Sequence, residues 1–240
     1  SKGYKAGGIN QHPSLNKESR FYDPEYNLSF EFGGRKSFDK IDINFTFFTM
    51  QRTDIQVQIS SQQVENDPNS FTYYTSNSSS GYNNGFELES LIEILPNLNF
   101  SSTFGFLNTF IKEFTYPVNE NDSKSSGNRE QAMAPRYNAS LNIKYNHKSG
   151  IFLIGNVTAK SEYYFSDSHN KKSNPYSLLN VDFGYKKNNL ILSIWGKNVT
   201  DKRYAVRGFY FGLEPPNYSD KLYISYGNPK EFGIKLSYQF

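Results

Sequence analysis

The sequence has no cysteine, which removes a disulfide framework and any thiolate metal centre. It has no unbroken apolar run of the roughly 20 residues that a membrane-spanning helix needs. No stretch repeats its apolar residues at helical spacing. The net charge is only +3, too little to argue for a nucleic-acid partner or an anionic surface. No signal peptide is visible at Ser1, so an exported protein would carry its leader upstream of this residue. Hydrophobic residues make up 36% and the mean hydropathy is −0.69, both low for a conventional core.

What the chain does have is aromatics: 19 Tyr and 21 Phe in 240 residues. They fall at every second position. Phe232, Ile234, Leu236, Tyr238 and Phe240 alternate with Gly233, Lys235, Ser237 and Gln239, the pattern of a strand with one apolar and one wet face. The same alternation runs through 26–32, 41–59, 86–94, 98–110, 137–145 and 179–185, and less sharply through 151–163 and 190–197. With a short first strand in 3–10 this makes about ten strands, of the length that crosses a membrane at a tilt. In 41–59 the pattern places Ile41, Ile43, Phe45, Phe47, Ile55, Val57 and Ile59 on one face.

The connections alternate in length. Long ones are expected at 11–25, 60–83, 115–132, 165–174 and 206–228, and tight ones at 35–40, 95–98, 146–150 and 186–189. Successive antiparallel strands send alternate connections to opposite sheet edges, so all long loops share one edge. Outer-membrane barrels have this asymmetry. The expected fold is all-β, an antiparallel up-and-down transmembrane β-barrel. The apolar residues would face lipid. Glu31, Asp42, Glu87, Glu89, Glu93, Lys144, Asp182 and Lys235 would face a wet lumen. Tyr145, Tyr163, Tyr164 and Tyr185 would lie in interfacial girdles. A soluble sheet with one face on a core has the same alternation.

Three phrases go beyond pattern. Asn198-Val-Thr-Asp-Lys-Arg-Tyr204 closes the segment LLNVDFGYKKNNLILSIWGKNVTDKRY, and YGNPKEFGIKLSYQF spans 226–240, with Gly227, Pro229 and Lys230 ahead of the terminal alternation. DPEYNLSFEFGGR (23–35) and SGYNNGFELE (80–89) precede them. In order and spacing these resemble the C-terminal strands of TonB-dependent outer-membrane receptors. The resemblance implies that residues 1–240 are the C-terminal portion, about ten strands, of a larger barrel of 22 strands with a plugged lumen. The plug, the TonB-contacting segment and the earlier strands would lie elsewhere.

It further implies active import of a scarce nutrient, a ferric siderophore foremost, with TonB-transduced energy. Importers of vitamin B12, haem or oligosaccharide share the barrel, and a passive porin or adhesin barrel is the competing reading. No enzyme activity, resident cofactor, metal site or nucleic-acid partner is expected. The implied partners are TonB through the plug region, the barrel assembly machinery, outer-membrane lipid, lipopolysaccharide and the ligand. The edge strand Phe232, Ile234, Leu236, Tyr238 and Phe240 would be the signal for the assembly machinery, read by strand addition.

Ligand contact is expected from the aromatic and cationic residues of the long loops: Tyr73, Tyr74, Tyr82, Tyr210, Tyr218 and Tyr223, with Arg129 and Arg207. Aromatic faces and guanidinium groups suit flat, anionic iron chelates. His12, His147 and His169 lack ligand spacing and read as solvated loop or turn residues. Glu87, Glu89 and Glu93 read as wet wall rather than an acid–base set, and 119–130 as a mobile surface loop.

Overall fold

The structure is a computed structural model that describes residues 1–240 apart from 14, 16, 65, 66, 119–121, 213 and 240, together with every side chain in them except those of Pro68 and Ser79. The chain runs through β1 (Lys2–Lys5), β2 (Gly8–Ile9), β3 (Phe21–Tyr22), β4 (Glu25–Ser37), β5 (Ile41–Gln62), β6 (Phe71–Leu95) and β7 (Leu98–Ile111). It continues through β8 (Phe114–Pro117), β9 (Ser123–Ser126), β10 (Tyr137–Asn146), β11 (Ile151–Lys160), β12 (Tyr176–Lys187) and β13 (Leu190–Lys197). The last strands are β14 (Ala205–Phe211), β15 (Lys221–Tyr226) and β16 (Glu231–Tyr238). One antiparallel sheet of ten strands carries the order β1-β4-β5-β6-β7-β10-β11-β12-β13-β16, and the other strands form small hairpins in the long connections.

The two faces sort as the alternation requires. Register places Phe32, Phe47, Phe86 and Phe106 side by side, and likewise Tyr185, Leu192 and Leu236. This apolar face is solvent-exposed: Phe183 shows 54% of its surface and Ile194 57%. The opposite face carries the polar partners. Asn44 donates to Glu89 at 3.2 Å. Asn156 donates to Asn142 at 2.7 Å and Asn180 to Asn156 at 3.0 Å, a ladder across three strands. An exposed band of aromatics and aliphatics of this extent is stable where lipid replaces water.

Glycines recur opposite aromatics. Gly34 faces Phe45, Gly85 faces Phe48, Gly184 faces Phe152, Gly196 faces Phe232 and Gly233 faces Trp195 in register. The rings lie over the glycines closely enough that a Cβ at Gly233 would sit 2.3 Å from the Trp195 ring. Each ring covers backbone that a side chain would otherwise shield, the cross-strand rescue of a glycine by an aromatic. This explains why Phe48, Phe152 and Trp195 occupy the polar face against the alternation.

The turn edge is as tight as expected. Asn188 takes φ +50° between Lys187 and Leu190, a conformation that Asn tolerates. Gly150 takes φ +98°, and a Cβ there would lie 2.1 Å from the Lys186 carbonyl oxygen that it underlies. At the long-loop edge several expectations change. Residues 60–83 are mostly strand: β5 and β6 extend as a hairpin to Gln62 and Phe71. Residues 206–228 contain the β14–β15 hairpin, and 115–132 contain β8–β9.

Ile55, Val57 and Ile59 do not share the exposed face of Ile41–Phe47. They are 2%, 1% and 0% exposed. Asp54 takes φ +52°, and the phase of the strand inverts there. The Ile55 side chain reaches within 2.6 Å of where a Gly81 Cβ would be, and Gly81 pairs with Arg52 and Ile111 on the polar side. The Glu25 carboxylate pins this point, accepting from Arg52 Nε at 2.7 Å and from the Gln56 amide at 3.0 Å. Beyond it, Leu15, Tyr74, Ile111, Phe114, Tyr116 and Val118 bury the three aliphatics in a core outside the sheet's lipid band. The long loops therefore fold in over the polar side.

The phrase at 198–204 clasps the phrase at 226–230. The Asn198 side chain accepts from the Lys202 amide at 2.9 Å and donates to the carbonyls of Lys202 and Asn228 at 3.0 Å each. Its own amide donates to Asn180 at the end of the asparagine ladder. The Asp201 carboxylate accepts from the Lys230 amide at 3.1 Å, and Arg203 lies 4.0 Å over the Tyr226 ring. Tyr204 occupies the space that a Cβ on Gly227 would need.

Ile194→Arg in the full protein is expected to destabilise the membrane-inserted barrel by about 2–4 kcal/mol, with Thr103→Arg on the opposite face costing far less. Urea unfolding in phospholipid vesicles measures both, and equal costs would show that the faces are misassigned.

Candidate ligand-capture site in the folded-in loops

The loops meet over a polar cavity of about 730 Å³. Ser60, Ser61 and Gln62 enter it from the tip of β5, Tyr116 from β8, Ser123 and Lys124 from β9, and Tyr210 from β14. Asp122, Ser168, His169 and Asp220 come from the connections. The wall thus joins four loop systems that are far apart in sequence. Ser61 Oγ is buried there with no partner among the described residues.

Arg129 assembles this wall. Its Nη2 donates to the carbonyls of Ser166 at 2.8 Å, Asp167 at 3.1 Å and His169 at 3.3 Å, and its guanidinium lies 4.1 Å over the Tyr164 ring. Tyr116 Oη donates to the Ser168 carbonyl at 3.1 Å and Ser126 Oγ to that of Asp167 at 2.5 Å. Three donor groups, making five hydrogen bonds, gather the carbonyls of 166–169 onto the β8–β9 hairpin. The fixed fork of arginine is suited to the task, having no acceptor and several donors in one plane. Its Nε is buried without a partner among the described residues.

Burial sets the local titrations. It pulls the Arg129 guanidinium below its ordinary pKa, with the Asp167 charge opposing. It pushes the Asp167 carboxyl above the usual carboxylate range, against the Gln58 amide and Arg129. It pulls the His169 imidazole below its usual value, opposed by the nearby Gly208 backbone. His169 is wedged edge-on to Tyr210 at 5.1 Å, and is no solvated loop histidine. His147 does stay in its turn, with Nδ1 2.8 Å from Ser149 Oγ.

The expected contact residues divide. Tyr210 lines the cavity. Tyr74 is 3% exposed and donates to the Pro117 carbonyl at 2.6 Å, so its hydroxyl is spent inside the loop core. Arg129 is spent on backbone carbonyls in the same way. Tyr82 stacks on Phe110 at 5.7 Å in phase with Phe86, on the apolar face. Tyr73 is 55% exposed and meets Phe71 edge-on. Tyr223 stacks on Phe209, over which Arg207 also lies, within the β14–β15 hairpin. Tyr218 sits in the same connection at φ +48°. Tyr163 and Tyr164 are loop residues rather than girdle residues: Tyr163 donates to the Val206 carbonyl at 3.2 Å, and the Tyr164 ring carries Arg129 and Lys172. Part of the supposed mobile loop at 119–130 is β9, anchored through Arg129, and 119–121 lie outside the described residues. Phe240 of the terminal strand also lies outside them.

Sequence reasoning passed over Tyr116, Asp122, Lys124 and Asp220. Among the described residues the wall holds two carboxylates against one amine, which differs from the anion trap expected from Arg129 and Arg207. It favours a polar, hydrogen-bonding ligand with amine or neutral groups.

A ten-stranded amphipathic antiparallel sheet with all large loops on one edge defines part of an outer-membrane β-barrel. Residues 1–199 match the family described as TonB dependent receptor-like, beta-barrel, and the chain belongs to that family. The family is one of receptors and transporters of the bacterial outer membrane, not of enzymes. Among solved structures, the chain is similar to the ferric yersiniabactin uptake receptor FyuA from Yersinia pestis, with 18% identity and a TM-score of 0.78 over 100% of this chain and 34% of that one. It is also similar to the siderophore receptor PiuA from Acinetobacter baumannii, with 16% identity and a TM-score of 0.70 over 99% of this chain and 33% of that one. The copper transporter OprC matches at 13% identity and a TM-score of 0.70, over 100% of this chain and 37% of that one. The chain thus spans about a third of the length of these structures.

Arg129→Lys is expected to keep the charge but lose the fork, loosening 164–169 by about 1–3 kcal/mol while the sheet stays intact. Hydrogen exchange of those amides reads it. Because the pKa of His169 is depressed on folding, its stabilising contribution is present above the ordinary value near 6.5 and lost as pH falls below it. Asp167 has the opposite sign, with its contribution greatest at low pH and lost as pH rises through the carboxylate range. Between about pH 7 and 5.5 the histidine dominates, so protection of 161–175 should drop, after correction for intrinsic exchange, and should not drop in His169→Phe.

Proposed function

We propose that the receptor containing this chain captures a chelated metal, a ferric siderophore foremost, in its outer loops and imports it with energy transduced by TonB. The chain supplies C-terminal strands of the barrel and the loop wall that touches the ligand, and it carries out no catalysis. The observation that carries this reading is the cavity walled by β5, β8–β9, the 165–170 segment and β14. Four loops folded together over the polar side form a shaped receptacle, where a general diffusion pore would keep its mouth open. His169 and Tyr210 offer ring faces and hydrogen bonds, Lys124 an amine, and Asp122 and Asp220 acceptors, while Tyr116 backs the wall from the loop core. Arg207, Tyr73, Tyr218 and Tyr223 lie on the hairpins around it and serve as outer contacts.

Assembly is the second part of the proposal. In β16, Phe232, Ile234, Leu236 and Tyr238 expose 64%, 73%, 68% and 59% of their surfaces at the end of the sheet. Before the barrel closes on it, an amphipathic edge strand of this kind is suited to strand addition onto the assembly machinery.

The test uses the complete receptor in its own iron-starved cells. Uptake of radioactive iron from a panel of siderophores should saturate and should vanish when TonB is removed. Tyr210→Ala and His169→Ala should each raise the half-saturation concentration by about tenfold with barrel abundance unchanged. Phe232→Ala with Tyr238→Ala should instead lower the amount of heat-modifiable barrel in the outer membrane. Uptake that persists without TonB would mean a passive barrel and sink the import reading.

A further inference from the structure

Ser61 lines the loop cavity at the tip of β5. It is 5% exposed, and its Oγ has no hydrogen-bond partner among the described residues. A buried hydroxyl left unpaired costs stability, so its retention points to a partner that the ligand brings. Ser61 shares the phase of Ile55, Val57 and Ile59, which the strand turns towards the folded-in loops. Asp220 reaches the same tip: a Cβ on Gly212 would lie 3.4 Å from both Asp220 Oδ1 and Gln62 Nε2. Burial pushes the Tyr116 hydroxyl above its ordinary pKa, with Arg129 opposing and the Asp220 charge adding, which sets that carboxylate near Tyr116 as well. Asp122 enters just ahead of β9, its backbone held where its carbonyl accepts from the Val118 amide at 2.9 Å.

The charges around the cavity are uneven. Lys124 offsets one of the two carboxylates at most. Arg129 lies behind the wall, with Nη2 turned onto the carbonyls of 166–169 and the Asp167 charge beside it. His169, pulled below its usual pKa by burial, adds no charge near neutral pH. Its Nδ1 accepts from the Lys171 amide at 3.3 Å. Much of the remaining lining is serine hydroxyl. A primary ammonium group carries three N–H donors and no acceptor. Two carboxylates and Ser61 Oγ present acceptors to match, and charge assistance makes such bonds strong. A chelate with several negative charges would instead meet like charge at this wall.

We propose that the loop cavity recognises its chelate by a protonated primary amine on the chelate's periphery, with Asp220, Asp122 and Ser61 Oγ as the acceptors. Tyr210 and His169 pack against the rest of the ligand. Asp220 and Asp122 are then specificity-determining residues, which favour an amine-bearing chelate over a polyanionic one. The inference rests on the import reading and narrows its substrate class.

The test measures TonB-dependent uptake of radioactive iron by cells that carry the complete receptor. Iron is supplied on hydroxamate, catecholate and carboxylate chelators, each made as a pair that differs only in a terminal primary amine, free or acetylated. In every pair that is transported, the free amine should half-saturate at about one-tenth the concentration of its acetylated partner. Asp220→Asn should narrow that ratio to about threefold or less, and Ser61→Ala should narrow it in the same direction. Asp39→Asn, which removes an exposed carboxylate from the turn edge, should leave the ratio unchanged. The ratio reads the amine contact itself, because a loosened loop weakens both members of a pair alike. Equal half-saturation within the transported pairs, or a ratio that survives Asp122→Asn with Asp220→Asn, overturns the proposal and leaves import standing. Absence of TonB-dependent uptake from every chelate overturns the import reading, and this inference with it.

Discussion

Backbone pairing in a medium without water governs this structure. A peptide group facing hydrocarbon must find its partner within the sheet, so strand follows strand antiparallel with few interruptions. In the ten-strand sheet the register runs without a break from Asn138 to Asn146 against β11, and from Ile151 to Lys160 against β12. Once pairing is fixed, alternation assigns every side chain to a face. The apolar face then needs no core of its own, since lipid covers it. The polar face can carry glutamates and an asparagine ladder without ion partners, because it stays wet.

The same constraint ends where the membrane ends. Beyond Asp54 the β5–β6 hairpin stands in water, and there it buries aliphatics as a soluble protein does. A left-handed residue turns the strand so that Ile55, Val57 and Ile59 leave the lipid face and meet the folded-in loops. Two solvents thus act on one strand, and a single inverted residue accommodates both. The loop wall rests on Arg129, which ties the carbonyls of 166–169 to the β8–β9 hairpin.

Much of the sheet could be read before any coordinates. Period-two alternation reports a local geometric property, the pleat, and three of the four tight turns advertise themselves through Asn188, Gly150 or Pro96. The phrases at 198–204 and 226–230 were legible through their resemblance to a known motif, and in the fold several of their residues meet specific partners, Asn198 with Lys202 and Asp201 with Lys230 among them. The loop cavity was not legible. Tyr74 and Arg129 looked like ligand contacts because they are aromatic and cationic residues in loops. What decides their role is a carbonyl supplied by Pro117 in one case and by Ser166, Asp167 and His169 in the other. Tyr116, Asp122 and Asp220 carried no signal, since nothing local distinguishes a tyrosine or aspartate that faces a cavity from one that faces water.

By itself, then, the sequence determined the strands, their faces, the edge that bears the long loops and the family to which the chain belongs. The strands, faces and edge follow from periodicity and from turns between strands near in the chain, and the family from the resemblance of the phrases at 23–35, 80–89, 198–204 and 226–240. The tertiary structure alone decided where the alternation inverts, which loop residues are consumed in packing, and which come together around the loop cavity. Those outcomes depend on partners separated by tens to more than a hundred residues, such as Gln58 with Asp167. No spacing along the chain encodes such a meeting, because loops of many lengths can close onto the same neighbours at little difference in entropy.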